Sequence, residues 1–154
     1  MAKKTNVLGI GHIMALTMGS LAILLGFINV YFFKNWVLQG KIFPIIGTVL
    51  VLIGIILVFF SVKHLQQAFK YGKLVTDGPY AYVRNPLYAG WILFIIPGII
   101  LIFGLILLIP VPFLTYGLFR KLIKKEEKYL EEKFGNEYIE YRKRVNLLIP
   151  KIKK

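Results

Sequence analysis

Hydrophobic and polar positions in this chain are segregated into long blocks. Residues 7–33 contain no Asp, Glu, Lys or Arg, residues 42–62 are uncharged throughout, and so are residues 87–119. A helix needs about 20 apolar residues to cross a bilayer core. The first two blocks therefore predict one membrane span each, at about 7–33 and 42–62. As one helix the third block would be about 50 Å long at the α-helical rise, against a core about 30 Å thick. Pro97-Gly98, Gly104, Pro110 and Pro112 interrupt it. It predicts a tight hairpin of two spans, at about 87–103 and 110–120, turning between Phe103 and Pro112. The second arm continues past Arg120 as a helix leaving the membrane. A single tilted span with a re-entrant piece is the alternative. The expected fold is all-α. It is one integral-membrane domain over residues 1–154, with four transmembrane helices and a cytoplasmic C-terminal helical segment.

Two polar segments remain, residues 63–86 and 121–150. The first opens with SVKHLQQAFKYGK, read as the end of span two followed by an interfacial helix. VTDGPY reads as a turn, since Asp-Gly-Pro disfavours regular structure. Asn85 precedes a proline and is pushed out of the helical region, while Pro86 suits the first position of a helix. Asn85 is therefore expected to cap span three. In the second segment, Leu118, Leu122, Tyr129, Leu130 and Phe134 fall near helical spacing and predict an amphipathic continuation of span four. Gly135 is the expected stop, with a short helix over about 136–144.

Composition agrees with a membrane protein. The chain is 57% hydrophobic with a mean hydropathy of +0.68, which leaves too little polar surface for a soluble domain. The net charge of +13 matters through its placement. Of 20 Lys and Arg, only Lys34 and Lys41 lie between the first two spans, and none lies in the hairpin. Basic loops stay cytoplasmic, so both termini are expected on the cytoplasmic side. The charge flanks spans, which suits anionic membrane lipids and gives no soluble basic face for nucleic acid. Nothing reads as a cleavable signal peptide, and the absence of cysteine excludes disulfides, thiol nucleophiles and thiolate metal sites.

Candidate chemistry lies where polar residues meet the third block. Arg84, Tyr80 and Tyr88 cluster at one helix start. Each has a plain explanation: Arg84 reaching lipid phosphates, the tyrosines forming an interfacial belt. Glu126 and Glu127 stand about two turns beyond the membrane boundary, where charge balance with Lys124, Lys125 and Lys128 is the ordinary role. Both segments face the same side, so the carboxylates and Arg84 can meet. Such a site suits a zwitterionic ligand with a cationic centre, which aromatic faces favour.

In order, LVTDGPYAYVRNPLYAGW (74–91) and EEKYLEEKFGNEYIEYRKRVNLLIP (126–150) carry a specific pattern. They resemble the two motifs of the isoprenylcysteine carboxyl methyltransferase family and the related phospholipid methyltransferases. The first family motif runs roughly Leu-Val-x-x-Gly-x-Tyr, then Val/Phe-Arg-His-Pro-x-Tyr-x-Gly. The second runs Glu-Glu-x-x-Leu-x-x-x-Phe-Gly-x-x-Tyr-x-x-Tyr, then a basic stretch ending in Pro. The resemblance covers about half the chain; the N-terminal half matches only as hydrophobic spans.

The resemblance implies S-adenosylmethionine as cofactor at the cytoplasmic interface and a lipophilic acceptor entering from the bilayer. It implies cofactor contacts at Lys73, Leu74, Val75, Tyr80, Asn85, Pro86, Leu87, Tyr88 and Glu126. Arg84 is the motif arginine and, with Glu127, the expected catalytic pair. Two positions depart from the pattern. Asn85 replaces the usual His and cannot titrate. Leu122 replaces an arginine that faces the acceptor in many members, leaving Arg120 and Lys121 beside it as the expected acceptor-binding cations. A prenylcysteine carboxylate, with a pKa of about 3.5, needs only a cation to orient it. A phosphatidylethanolamine amine needs a base such as Glu127. Carboxyl methylation is therefore the favoured expectation. Lipid N-methylation and a non-catalytic membrane interaction protein are the alternatives.

Overall fold

The computed structural model describes residues 10–34 and 37–151. The helices are α1 (Gly11–Phe32), α2 (Ile42–Tyr71), α3 (Pro86–Phe103), α4 (Pro110–Phe134) and the short α5 (Asn136–Arg144). Among the described residues, four helices are long and apolar enough to cross a membrane. The protein is an all-α, multi-pass membrane protein. The first few residues of the expected span 7–33 lie outside the described residues. The expected interfacial helix after span two is not separate, because α2 runs unbroken to Tyr71.

The hairpin forms where the breakers predict it. Gly104 closes α3 in the left-handed region (φ 66°), donating its N–H to Ile100 O. A 3-10 turn at Ile106–Leu108 leads to Pro110 at the start of α4. α1 is tied to this turn by Asn29, fully buried, whose Oδ1 accepts the Leu107 N–H at 3.0 Å. The loop between α1 and α2 joins it through Leu38 N–H to Gly104 O, 2.9 Å. Inside α3, residues Gly90–Ile95 form a wider π-helical stretch. It ends next to Pro97, which has no N–H to give the Leu93 carbonyl in a regular α-helix.

α2 and α3 pack backbone against backbone. A Cβ on Gly98 would stand 2.7 Å from Gly47 O, and one on Gly54 would stand 3.0 Å from Gly90 O. Close glycine contacts of this kind replace the hydrophobic drive that membrane helices lack. The Gly90 contact lies one turn beyond Pro86 and so holds the start of α3 against α2. The start of α1, the start of α3, the middle of α4 and the C-terminal segment then converge. Ile10, Met14, Ala89, Phe119, Ile123 and Leu148 form one buried cluster there. On α4 the buried face is Thr115, Phe119 and Ile123. Leu118 and Leu122 flank it, and Leu130 and Phe134 continue it against α5. Tyr129, expected on this face, is 39% exposed.

Candidate functional site

The site is built on the loop from Gly72 to Asn85. His64, on α2, packs its ring where a Cβ on Gly78 would sit, and Gly78 has φ 55°. The loop can run this close to α2 only with glycine there. It continues as a 3-10 turn, Gly78–Ala81, that buries Tyr80. The Tyr141 hydroxyl of α5 donates to Tyr80 O at 2.7 Å. Beyond it, Val83 pairs in parallel with Asn146. Arg84 N–H donates to Asn146 O at 2.8 Å, and Asn85 N–H donates to Leu147 O at 3.1 Å. The chain after α5 thus straps the arginine loop in place. Asn85 is the residue before α3, as expected, but its side chain makes no capping bond. Its Nδ2 lies 3.5 Å from Leu147 O, which turns the side chain towards the strap.

The strap directs Arg84 at α4. Its Nη2 lies 3.0 Å from Glu127 Oε1, with the two side chains 12% and 18% exposed. The approach is an ion contact without hydrogen-bond alignment, and Arg84 Nε and Nη1 are buried with no partner among the described residues. The Tyr138 hydroxyl also bonds to Glu127, and burial followed by the Glu127 charge pushes its pKa up. Burial does the same to Tyr80, reinforced by Tyr141 and Glu126, and to Tyr141. These hydroxyls stay protonated donors at neutral pH. Glu126 lies on the adjacent side of α4; burial raises its pKa, and the neighbouring Ile10 N–H and Tyr88 hydroxyl oppose that rise. Its Oε2 is buried and without a partner among the described residues. The Tyr88 ring packs on Phe119 with centroids 5.1 Å apart.

Arg84, Glu126, Glu127, Tyr80 and Tyr88 are therefore brought together, with Asn85, buried Pro86 and half-buried Leu87 at the same helix start. Lys73, Leu74 and Val75 line an open cavity of about 340 Å³ together with His64, Gln67 and Asp77. Leu74 also packs against the Tyr138–Tyr141 cluster. Arg120 and Lys121 are not brought in. Both are exposed, on the side of α4 away from Phe119 and Ile123. Leu122 packs into the apolar cluster beside Tyr88. Sequence reasoning gave no role to Ile10, His64, Tyr138, Tyr141, Asn146 or Leu147. The two tyrosines, Asn146 and Leu147 lay within the second motif stretch; Ile10 and His64 carried no local signal.

The site holds one buried cation with unused donors and one buried carboxylate with an unused oxygen. That combination suits a ligand pair of opposite local charge. The model of the isoprenylcysteine carboxyl methyltransferase family matches residues 45–132. The chain is 30% identical over 146 residues to a protein-S-isoprenylcysteine O-methyltransferase of Dictyostelium discoideum, covering 86% of this chain and 61% of that protein. It is 31% identical over 113 residues to protein-S-isoprenylcysteine O-methyltransferase B of Arabidopsis thaliana, covering 72% and 57%. It is 38% identical over 80 residues to the Homo sapiens protein-S-isoprenylcysteine O-methyltransferase, covering 52% and 28%. The chain thus spans about three fifths or less of the length of these curated relatives. No solved structure matches it. The family match runs from α2 through the Arg84 loop to Glu126 and Glu127, and the chain belongs to the isoprenylcysteine carboxyl methyltransferase family.

Proposed function

We propose that this protein is a membrane methyltransferase that uses S-adenosylmethionine to esterify the carboxylate of a prenylated cysteine. The observation that carries the reading is the pairing of unused groups. Arg84 keeps Nε and Nη1 free beside Glu127, and Glu126 keeps Oε2 free beside Tyr88. A carboxylate acceptor needs the first, and a cationic methyl donor needs the second. Glu126 and Tyr88 would hold the donor, with the cavity at Lys73, Leu74 and Val75 available to its less charged part. When bound, S-adenosylmethionine supplies an electrophilic methyl group on a sulfonium.

The residues of this chain then orient reactants and exclude water, which is most of what such a displacement requires. Arg84 grips the acceptor carboxylate through its free donors and so is the residue that touches substrate. Glu127 acts through Arg84, holding the guanidinium from the opposite side together with the Tyr138 hydroxyl. An acceptor carboxylate with a pKa of about 3.5 is already ionised at pH 7, so no base is required. Because Glu127 is engaged by Arg84 and Tyr138, it is poorly placed to deprotonate a lipid amine. This favours carboxyl over amine methylation. The charge distribution further supports a cytoplasmic position for the site and both termini.

The test is transfer of labelled methyl from S-adenosylmethionine by the purified protein in lipid, with farnesylcysteine and phosphatidylethanolamine offered separately. Alkali-labile label on farnesylcysteine, lost in Arg84→Ala and Glu126→Ala, is the expected result. Label on phosphatidylethanolamine alone would replace the acceptor, and no transfer to either would favour an interaction protein.

A further inference from the structure

Arg120, Lys121, Lys124 and Lys125 are all exposed on α4. At helical spacing they share one side, opposite the buried Phe119 and Ile123. The same side about two turns earlier is apolar and exposed, at Phe113 (74%) and Leu114 (51%). A helix face that passes from exposed apolar residues to clustered cations marks the edge of the hydrocarbon core. The four cations span about 8 Å along the axis, close to the depth of one headgroup layer, taken as half of what remains when the core is subtracted from the whole bilayer.

Among the described residues, these cations have no paired counter-charge. Its seven acidic residues are Asp77, Glu126, Glu127, Glu131, Glu132, Glu137 and Glu140. Asp77 faces His64, Glu127 faces Arg84, Glu131 faces Arg142, Glu132 faces Lys128 and Glu140 faces Lys143. Glu126 stands against Tyr88 and Ile10, and Glu137, exposed on α5, forms no ion pair among the described residues. Among the described residues, none of the four cations forms an ion pair, although Glu126 and Glu127 stand within one turn of Lys124. An unpaired cationic face at headgroup depth is complementary to phosphodiester anions.

We propose that this face of α4 binds the headgroups of anionic phospholipids and so fixes the depth of the turn carrying Glu126 and Glu127. The inference is independent of the methyl donor and acceptor, because it rests on the outer side of the helix.

Native mass spectrometry of the purified protein with equal phosphatidylglycerol and phosphatidylcholine tests it. The wild type should retain phosphatidylglycerol preferentially. Lys124→Gln with Lys125→Gln should reduce that preference by about thirtyfold, as expected for two charges near an anionic surface. Lys133→Gln, exposed but on another side of α4, should leave it intact, and the Lys124→Arg, Lys125→Arg pair should preserve it. Equal retention of the two lipids by the wild type would overturn the proposal without any variant. That result, with an acidic protein retained in their place, would assign the face to a macromolecular partner. Loss of preference in Lys133→Gln as large as in the double variant would also overturn it, showing a bulk-charge effect.

Discussion

Cutting the Arg84–Glu127 contact has consequences that can be worked out in advance. At 3.0 Å the pair attracts by about 5 kcal/mol at an effective dielectric constant near 20. Most of that is offset by desolvation, and the partnerless Nε and Nη1 of Arg84 add to the offset. The net worth of the pair is therefore small, while the cost of halving it is large. Arg84→Ala leaves Glu127, 18% exposed in the intact protein, without its cation. Leaving one buried charge unpaired destabilises by about 3–5 kcal/mol. Glu127→Ala strands the guanidinium and falls in the same range. Removing both charges leaves nothing stranded, so the double variant should lie well below the sum of the singles. The expected coupling is about 2–3 kcal/mol. Unfolding of the purified protein in detergent, followed by fluorescence across the four-variant cycle, measures it. Additive single effects would refute the reasoning, because two groups in contact and shielded from water cannot act independently. Methyl transfer should stay absent in the double variant despite its recovered stability, which separates holding the fold from gripping the acceptor.

Gly98→Ala should lower the unfolding temperature, since its Cβ would meet Gly47 O at 2.7 Å, an overpacking cost of about 1–3 kcal/mol. Gly117→Ala, with nothing within 4 Å, should be neutral in the same assay. Tyr141→Phe removes the hydrogen bond to Tyr80 O and should cost about 1 kcal/mol, together with a weaker apparent affinity for the methyl donor in a binding titration. Asn29→Ala leaves the Leu107 N–H without its acceptor away from water, and denaturant unfolding should show a loss of about 1–3 kcal/mol.

The spans and the hairpin were legible because membrane segregation writes them as uncharged blocks, and because Gly104 and Pro110 mark the turn that the helices adopt. Gly135 and α5 were legible for the same local reason. The meeting of Arg84 with the glutamates was legible only as a possibility of topology. What brings it about is the strap at Asn146 and Leu147, more than sixty residues away, and a strap of two backbone bonds leaves no compositional trace. Asn85 shows the limit of local rules. It occupies the cap position, yet a distant carbonyl takes its side chain. Arg120 and Lys121 were drawn to the acceptor by sequence adjacency to Leu122, whereas a helix turns neighbours by about 100° and faces these two outwards. The close approach of His64 to Gly78 depends on the path of the loop, which no periodicity encodes.

S-adenosylmethionine binding to the purified protein in lipid, with Glu126→Ala and Lys128→Ala alongside, is the decisive measurement. Binding should be saturable, abolished by Glu126→Ala and unchanged by Lys128→Ala, since Lys128 is exposed and, among the described residues, paired with Glu132. No binding by a folded wild type, or equal binding by both variants, would contradict a donor site at Glu126.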